Sequence, residues 1–312
     1  MANANLTYKS GTRPNVWEFN FQANLVKTRN ANFHQYSWSP DVFQFDYGAA
    51  VKEFGKQPIT YKATIAITGS ETSKRAWLDE FHLACDLDIL NRTPGKLYWG
   101  SMYIECYIVE TSTEPGDVYA DNEIGIFCPY PSWIYAETYA RSTFAEQELK
   151  YMLQNLGDTG DIVITDATYI PAALLPMRQN FRAILIGDGT ANAAYMRIKG
   201  LDNVNNKVEM DFPSLTLASG QALVVDGRYD RKTAETYTVV DYGNWPSQVP
   251  YINLSTRVNV YDKRAANSHM FKSIKLDGYT TPKFDLKDCY SNNGAHMIVT
   301  VYYERSEPTW IS

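Results

Sequence analysis

One stretch, ITYKATIAITG (59–69), constrains the fold more than any other. Ile59, Tyr61, Ala63, Ile65 and Ile67 alternate with Thr60, Lys62, Thr64, Ala66 and Thr68, and Gly69 ends the run. Strict period-2 alternation over ten residues predicts a strand with one face against a core and one toward solvent. The chain then changes period. Ser70, Thr72 and Ser73 are available as helix N-caps. Trp77, Phe81 and Ala84 follow at i, i+4 and i+7, one face of a helix. A single helix therefore leaves the strand and lays Trp77 and Phe81 on a sheet.

The next segment, RTPGKLYWGSMYIECYIVET (92–111), predicts a hairpin. Pro94-Gly95 is a turn signal. Two strand-like runs, 96–99 and 102–110, are separated by Gly100-Ser101, and Gly in first place suits a tight type II′ turn. That turn sets a register of Trp99 with Met102, Tyr98 with Tyr103, Leu97 with Ile104 and Lys96 with Glu105. Leu97, Trp99, Met102, Ile104, Cys106 and Ile108 then share one face, and Tyr98, Tyr103, Tyr107 and Val109 the other. Both faces carry packing material, so the hairpin is expected between a core on one side and a helix or another subunit on the other.

The rest of the N-terminal part reads as strands and loops. Segments NFHQYSWS and VFQFDYG are expected as short strands, and STEPGD as a loop. In IGIFCPYPSWI, Pro129 and Pro131 end a strand and start an extended linker. A domain boundary is placed near residue 135, giving domains 1–135 and 136–312. The segment STFAEQELKYMLQNLG combines a capping box, Thr143 with Glu146, with Leu149, Met152, Leu153 and Leu156 at helical spacing, while DIVIT is strand-like. Several readings of 136–180 stay open. From about 181 onward FRAILIG, AYMRIKG, KVEMDF, ALVVDG, TYTVVDY, RVNVYD, FKSIKLD and MIVTVYYER read as strands, which predicts a sandwich or jelly roll.

Composition narrows the function classes. The 312 residues carry a formal net charge of −6 and no Lys/Arg cluster, a poor basis for specific nucleic-acid binding. No run approaches a membrane span and the N-terminus lacks a secretory pattern, so folding in a cytoplasm is expected. The 23 tyrosines favour β-structure and contact surfaces. Cys85, Cys106, Cys128 and Cys289 are widely spaced without a CxxC, and His34, His82, His269 and His296 lie on unrelated elements, so structural thiols and no metal site are expected. Phosphate loops, HExxH, GxSxG and EF-hand patterns are missing from the sequence. Glu209 and Asp211 share a strand face at about 7 Å, near a retaining glycosidase's carboxylate spacing, but such alternation is common on solvated strands. No catalytic residue and no cofactor are expected. Tyr242, Trp245 and Tyr251, in DYGNWPSQVPYIN, are the candidate sugar or partner contact.

Taken in order, NFHQYSW, ITYKATIAITGSETSKRAWLDEF, RTPGKLYWGSMYIECYIVE and IFCPYPSW resemble the N-terminal half of the distal tail (Dit) family of long-tailed bacteriophages and prophages. ILIGDGTANAAYMRIKG, LASGQALVVDG and MIVTVYYERSEPTW are similar to its C-terminal half, while 136–180 depart from the pattern. The resemblance implies a mainly-β chain. Its N-terminal domain would be a tail-tube-like β-barrel or split sheet with one helix, and its C-terminal domain a galectin-like jelly-roll β-sandwich. It implies a non-enzymatic homo-hexameric ring at the virion tail tip, assembled in the bacterial host cytoplasm. The ring would join the tail tube protein to the tail-associated lysin or tail-tip protein, offer docking to a receptor-binding protein, and pass DNA without reading it or touching a membrane. Tyr98, Tyr103 and Tyr107 are the candidate ring interface. A carbohydrate-binding module recognising cell-wall glycans is the alternative. The resemblance also implies that the chain end returns to the N-terminal domain, so a chain lacking residues 304–312 is expected to lose ring assembly, as native mass spectrometry would show.

Overall fold

A computed structural model describes residues 6–23, 25–114, 119–142, 162–163, 178–186, 195–201, 207–212, 215–218, 220–228, 233–240, 251–266, 276–277, 283–287 and 296–308. The chain divides into two compact units, Met1–Tyr135 with Arg305–Ser312, and Ala136–Glu304. The fold is mainly β, with multiple antiparallel sheets and no closed barrel.

In the first unit the strands are β1 (Leu6–Lys9), β2 (Glu18–Asn20), β3 (Val26–Ala31), β4 (Trp38–Phe45), β5 (Gly48–Lys56) and β6 (Ile59–Thr68). Helix α1 (Glu71–Leu90) follows, then β7 (Gly95–Trp99), β8 (Met102–Glu114), β9 (Tyr119–Cys128) and the start of β10 (Trp133–Ser142). The sheet runs β2-β1-β7-β8-β9-β6-β3, all antiparallel, while β4 and β5 pair only with each other. Strand β6 has the predicted alternation: Tyr61, Ala63, Ile65 and Ile67 are buried, and Thr60 and Lys62 are exposed. Ala66, on the other side, is buried as well.

The helix begins where the caps predict. Ser70 is extended and its Oγ accepts from the Ser73 N–H at 3.2 Å. Phe81 is fully buried, stacked on Trp77 at 5.0 Å and met edge-on by Phe19 at 5.1 Å, Phe21 at 5.8 Å and Tyr8 at 6.1 Å. Burying such a ring contributes about 2–3 kcal/mol, and each edge-to-face contact adds about 0.5–1.5 kcal/mol. The helix ends in a Schellman motif: Thr93 N–H donates to Asp88 O and Arg92 N–H to Ile89 O, with Arg92 at φ +53°. The reversal expected at Pro94-Gly95 is thus made earlier, by Asn91 to Thr93. Gly95 is instead the first residue of β7, and it is glycine because a Cβ there would sit 2.3 Å from the Tyr8 hydroxyl.

Beneath that close approach lies a buried carboxylate. Asp88 is wholly enclosed and accepts four hydrogen bonds: Ser10 Oγ at 2.7 Å and Thr12 N at 2.8 Å on Oδ1, Tyr8 Oη at 2.7 Å and Gly11 N at 3.0 Å on Oδ2. Those donors occupy the carboxylate's lone-pair sites. Burial pushes the Tyr8 phenol far above its ordinary pKa, so it stays a donor.

The 96–99/102–105 hairpin register is the predicted one, pair for pair, and Gly100 has φ +61°. Leu97, Met102, Ile104, Cys106 and Ile108 face the core, and Trp99 is partly buried against Phe33. Pro129–Pro131 do not lead into a long extended linker: Trp133, fully buried, already starts β10. Cys85, Cys106 and Cys128 are free and buried, and burial raises the Cys85 and Cys106 thiol pKa values. Cys289 lies outside the described residues.

The second unit contains β11 (Ile162–Val163), β12 (Arg178–Ile186), β13 (Tyr195–Leu201), β14 (Lys207–Asp211), β15 (Gln221–Asp226), β16 (Thr233–Val240) and β17 (Tyr251–Asn259). It continues with β18 (Leu276–Asp277), β19 (Lys283–Lys287) and most of β20 (His296–Arg305). One antiparallel series runs β17-β16-β15-β12-β20, with β18 beside β12, and a second runs β11-β19-β13-β14. Seven of the eight predicted strands are present, with two differences, while of FKSIKLD only Leu276–Asp277 lies within the described residues. RVNVYD stops at Asn259 and turns into a short 3-10 turn at 261–263, and KFDLK forms β19, which was not read as a strand. The helical spacing at 143–156 lies outside the described residues. Phe181, Ala183, Leu185, Leu223 and Val225 are buried, and so are four charged residues: Asp226 and Arg228, paired at 2.6 Å, Glu235, paired with the exposed Arg257 at 2.5 Å, and Glu304.

Two substitutions test this account in denaturant titrations. Asp88→Asn turns one of the two backbone N–H groups, Gly11 or Thr12, toward a donor and is expected to cost about 3 kcal/mol. Arg92→Gly relieves the left-handed backbone and is expected to gain about 1 kcal/mol.

Candidate assembly interface

Two surfaces of the first unit carry the chemistry of a protein contact. One is the sheet face opposite Tyr8 and Leu97. Across β2, β1, β7 and β8 the registers align Asn20, Thr7, Tyr98 and Tyr103 in one row, with Ile134 of β10 beyond. They align Glu18, Lys9, Lys96 and Glu105 in the next. The Tyr98 and Tyr103 rings meet at 5.5 Å. Lys9 lies over Tyr98 at 5.4 Å and Lys96 over Tyr103 at 4.3 Å, while Lys9 also pairs with Glu18 at 2.9 Å. Such cation–π contacts are worth about 0.5–1 kcal/mol at exposed sites. Tyr103 is only 5% exposed within the single chain, whereas Tyr98 and Tyr107 are half-buried. The structure therefore brings Tyr98 and Tyr103 together under two lysines and sets Tyr107 two rows along β8, past Glu105 and beside β9.

The second surface is the β4–β5 hairpin. Its strands pair from Trp38↔Lys56 to Phe45↔Gly48, closed by Asp46-Tyr47, with one irregularity between Asp41 and Val42. At about 3.3 Å per residue, eight residues reach roughly 26 Å. No other described strand pairs with it. Phe43 is 57% exposed, Phe45 65% and Tyr47 fully exposed; Tyr36, Trp38, Val42 and Val51 are exposed too. Phe43 and Phe45 stand opposite Ala50 and Gly48, so one face is aromatic on a small-residue floor. Asp41–Lys52 at 3.3 Å and Lys52 over Phe43 at 5.7 Å are the polar contacts that brace it. A two-stranded ribbon is marginal by itself, and its apolar face and unpaired edges favour a partner. The sequence predicts strands at NFHQYSWS and VFQFDYG, but residues 32–37 precede the single strand β4, and β5 is not among the predicted strands. The signal was Phe43 and Phe45 at period 2 facing Gly48-Ala49-Ala50.

The other candidates are less visible. Tyr242 and Trp245 lie outside the described residues. Tyr251 opens β17, where its backbone pairs with Val240. Glu209 and Asp211 lie on β14 opposite Lys199 and Arg197 of β13. Among the described residues no group of three His, Cys, Asp or Glu side chains converges as a metal site, and no helix is long and apolar enough to cross a membrane.

No protein-family model matches the chain, and no curated protein matches it. Solved structures do. The Dit protein of phage SPP1, described as a paradigm of the hub adsorption apparatus in phages infecting Gram-positive bacteria, aligns with TM-score 0.53 at 9% identity, covering 95% of this chain and 98% of that one. The baseplate of phage P2 in its activated conformation, in calcium and strontium forms, aligns with TM-score 0.53 at 10% identity, covering 95% of this chain and 97% of that one. The fold is similar to that of phage tail-hub proteins. The likeness spans both units, so the hub-like fold is a property of the whole chain and not of one sheet.

Burial separates the roles of the two surfaces. Tyr103→Ala is expected to lower the stability of the isolated chain by about 3 kcal/mol, because it empties a buried site. Phe43→Ala is expected to leave it within about 0.5 kcal/mol. Thermal denaturation of both variants under non-assembling conditions measures the difference.

Proposed function

We propose that this chain is the distal tail hub of a long-tailed phage or prophage, a structural protein without catalytic activity. Six copies form a ring at the virion tail tip. The ring joins the tail tube to the tail-associated lysin or baseplate proteins, gives receptor-binding parts a place to dock, and passes DNA without specific contacts. Assembly takes place in the cytoplasm of the bacterial host.

The observation that carries this reading is full-length likeness to hub proteins combined with a hairpin that pairs with no other strand among the described residues. Such a hairpin is suited to lie on a neighbouring copy, where its Phe43, Phe45 and Tyr47 supply the buried aromatic anchors on which interfaces depend. The Tyr98/Tyr103/Tyr107 face is the second contact. Its alternating Lys and Glu give it polarity and register rather than apolar area.

Light scattering or native mass spectrometry is expected to give six times the 35.5 kDa chain mass, and negative-stain images are expected to show rings. Phe43→Asp combined with Phe45→Asp is expected to abolish the rings and leave a folded monomer. Rings of normal mass from that double variant would remove the hairpin from the interface.

A further inference from the structure

The last described residues of the chain cross both feet of the β4–β5 hairpin. At the foot that precedes β4, His34 Nδ1 lies 3.6 Å from Glu307, and its ring lies 6.2 Å from Trp99. At the other foot stands Lys56, the final residue of β5. Its Nζ donates to Ser132 Oγ at 2.9 Å, to Pro131 O at 3.3 Å and to Arg305 O at 3.3 Å, and lies 5.1 Å from the centre of the Trp38 ring. An ammonium has three protons to give, and here three separate oxygens take them. Two of those oxygens belong to the connection before β10 and one to the returning C-terminal segment. Trp38 is the residue paired with Lys56 across the hairpin, so both strands are held at the base. Pro308, just beyond, is buried.

We infer that residues 305–308 act as a strap that fixes the direction of the β4–β5 hairpin, with Lys56 as the positioning residue that couples the two. Among the described residues nothing beyond the base holds the hairpin: residues 40–52 are exposed and its strands pair only with each other. Its aim is therefore set at its feet. An arm of roughly 26 Å turns a rotation of 10° at its base into a tip displacement of about 4–5 Å. That displacement is enough to lose a side-chain contact at the tip. Arg305 is also the point at which the chain leaves the second unit and rejoins the first. The use of this device in ring building rests on the hub reading; the device itself does not.

Spin labels at Tyr47→Cys, on the hairpin tip, and Leu90→Cys, at the exposed end of α1, on a Cys289→Ser background, report the arm's direction as a distance distribution. The labelled chain is diluted into unlabelled protein so that only distances within one copy contribute. The expected result is a narrow distribution for the parent. Lys56→Met and a chain ending at Glu304 should each broaden it at least about twofold, the mark of a locally released segment. Combining them should broaden it by less than the sum of the two, because both remove the Lys56–Arg305 link. An unchanged width in the truncated chain would overturn the strap, and so would additive broadening in the combination, which would assign Lys56 to the 131–132 connection alone. If the truncated chain fails to fold, Glu307→Gln combined with Lys56→Met replaces it under the same criteria. The ring mass is measured separately: a monomeric parent would defeat the hub reading and leave the distance result standing.

Discussion

The Asp88 carboxylate organises the first unit. A negative charge in the last turn of a helix opposes the helix dipole, and burying one without a counter-ion costs several kcal/mol. Here two hydroxyls and two backbone N–H groups, all from residues 8–12, offset that cost. The carboxylate therefore cannot be satisfied unless the segment after β1 folds over the end of α1. That one requirement fixes the helix against β1, places Tyr8 over Gly95, and so brings β7 to the other side of β1. The Phe81 cluster then closes the space between helix and sheet.

Because the unit gains its stability inside, it can leave large apolar groups outside. Its core holds Tyr8, Phe21, Phe33, Phe81 and Trp133, all fully buried. The β4–β5 hairpin adds little to that core and exposes its own aromatics. The division is physical: one set of rings holds the unit together, and a second set stands exposed on a ribbon that pairs with no other described strand.

The sequence made local rules visible and hid the long-range ones. Gly100-Ser101 fixed the β7–β8 register because a two-residue loop allows few pairings, and each one-residue slip would turn Leu97 and Ile104 outward. The Ser70 cap and the 77/81/84 face located α1 for the same reason: the signals lie within one helical turn of the feature they specify. Asp88 gave no such sign. Its donors lie 76 to 80 residues away, and in sequence it is one more acid on a helix. Pro94-Gly95 looked like a turn because its composition suits one, yet the glycine answers to the Tyr8 ring above it. Lys56 was equally silent, since its acceptors are backbone and hydroxyl oxygens up to 249 residues distant. The aromatic face of β4 shows the remaining limit: periodicity reports that a strand has an apolar side, not whether that side meets its own chain.

The placement of β1 between β2 and β7 also bears on how the chain is born. β1 is the first described strand, but its neighbour β7 begins at Gly95, and the carboxylate that holds the segment after it comes at 88. At synthesis speeds of about 5–20 residues per second, β1 waits on the order of 5–20 s for these partners. Contacts that distant in sequence make closure slow, because the loop entropy is spent before any of them forms. Throughout that interval α1 has no finished sheet to lie on, and Tyr8, Phe19 and Phe21 are open to water and to other chains. The chain is thus open to misassembly until β7 at Gly95 has emerged, although the locally paired β4–β5 hairpin is complete well before then.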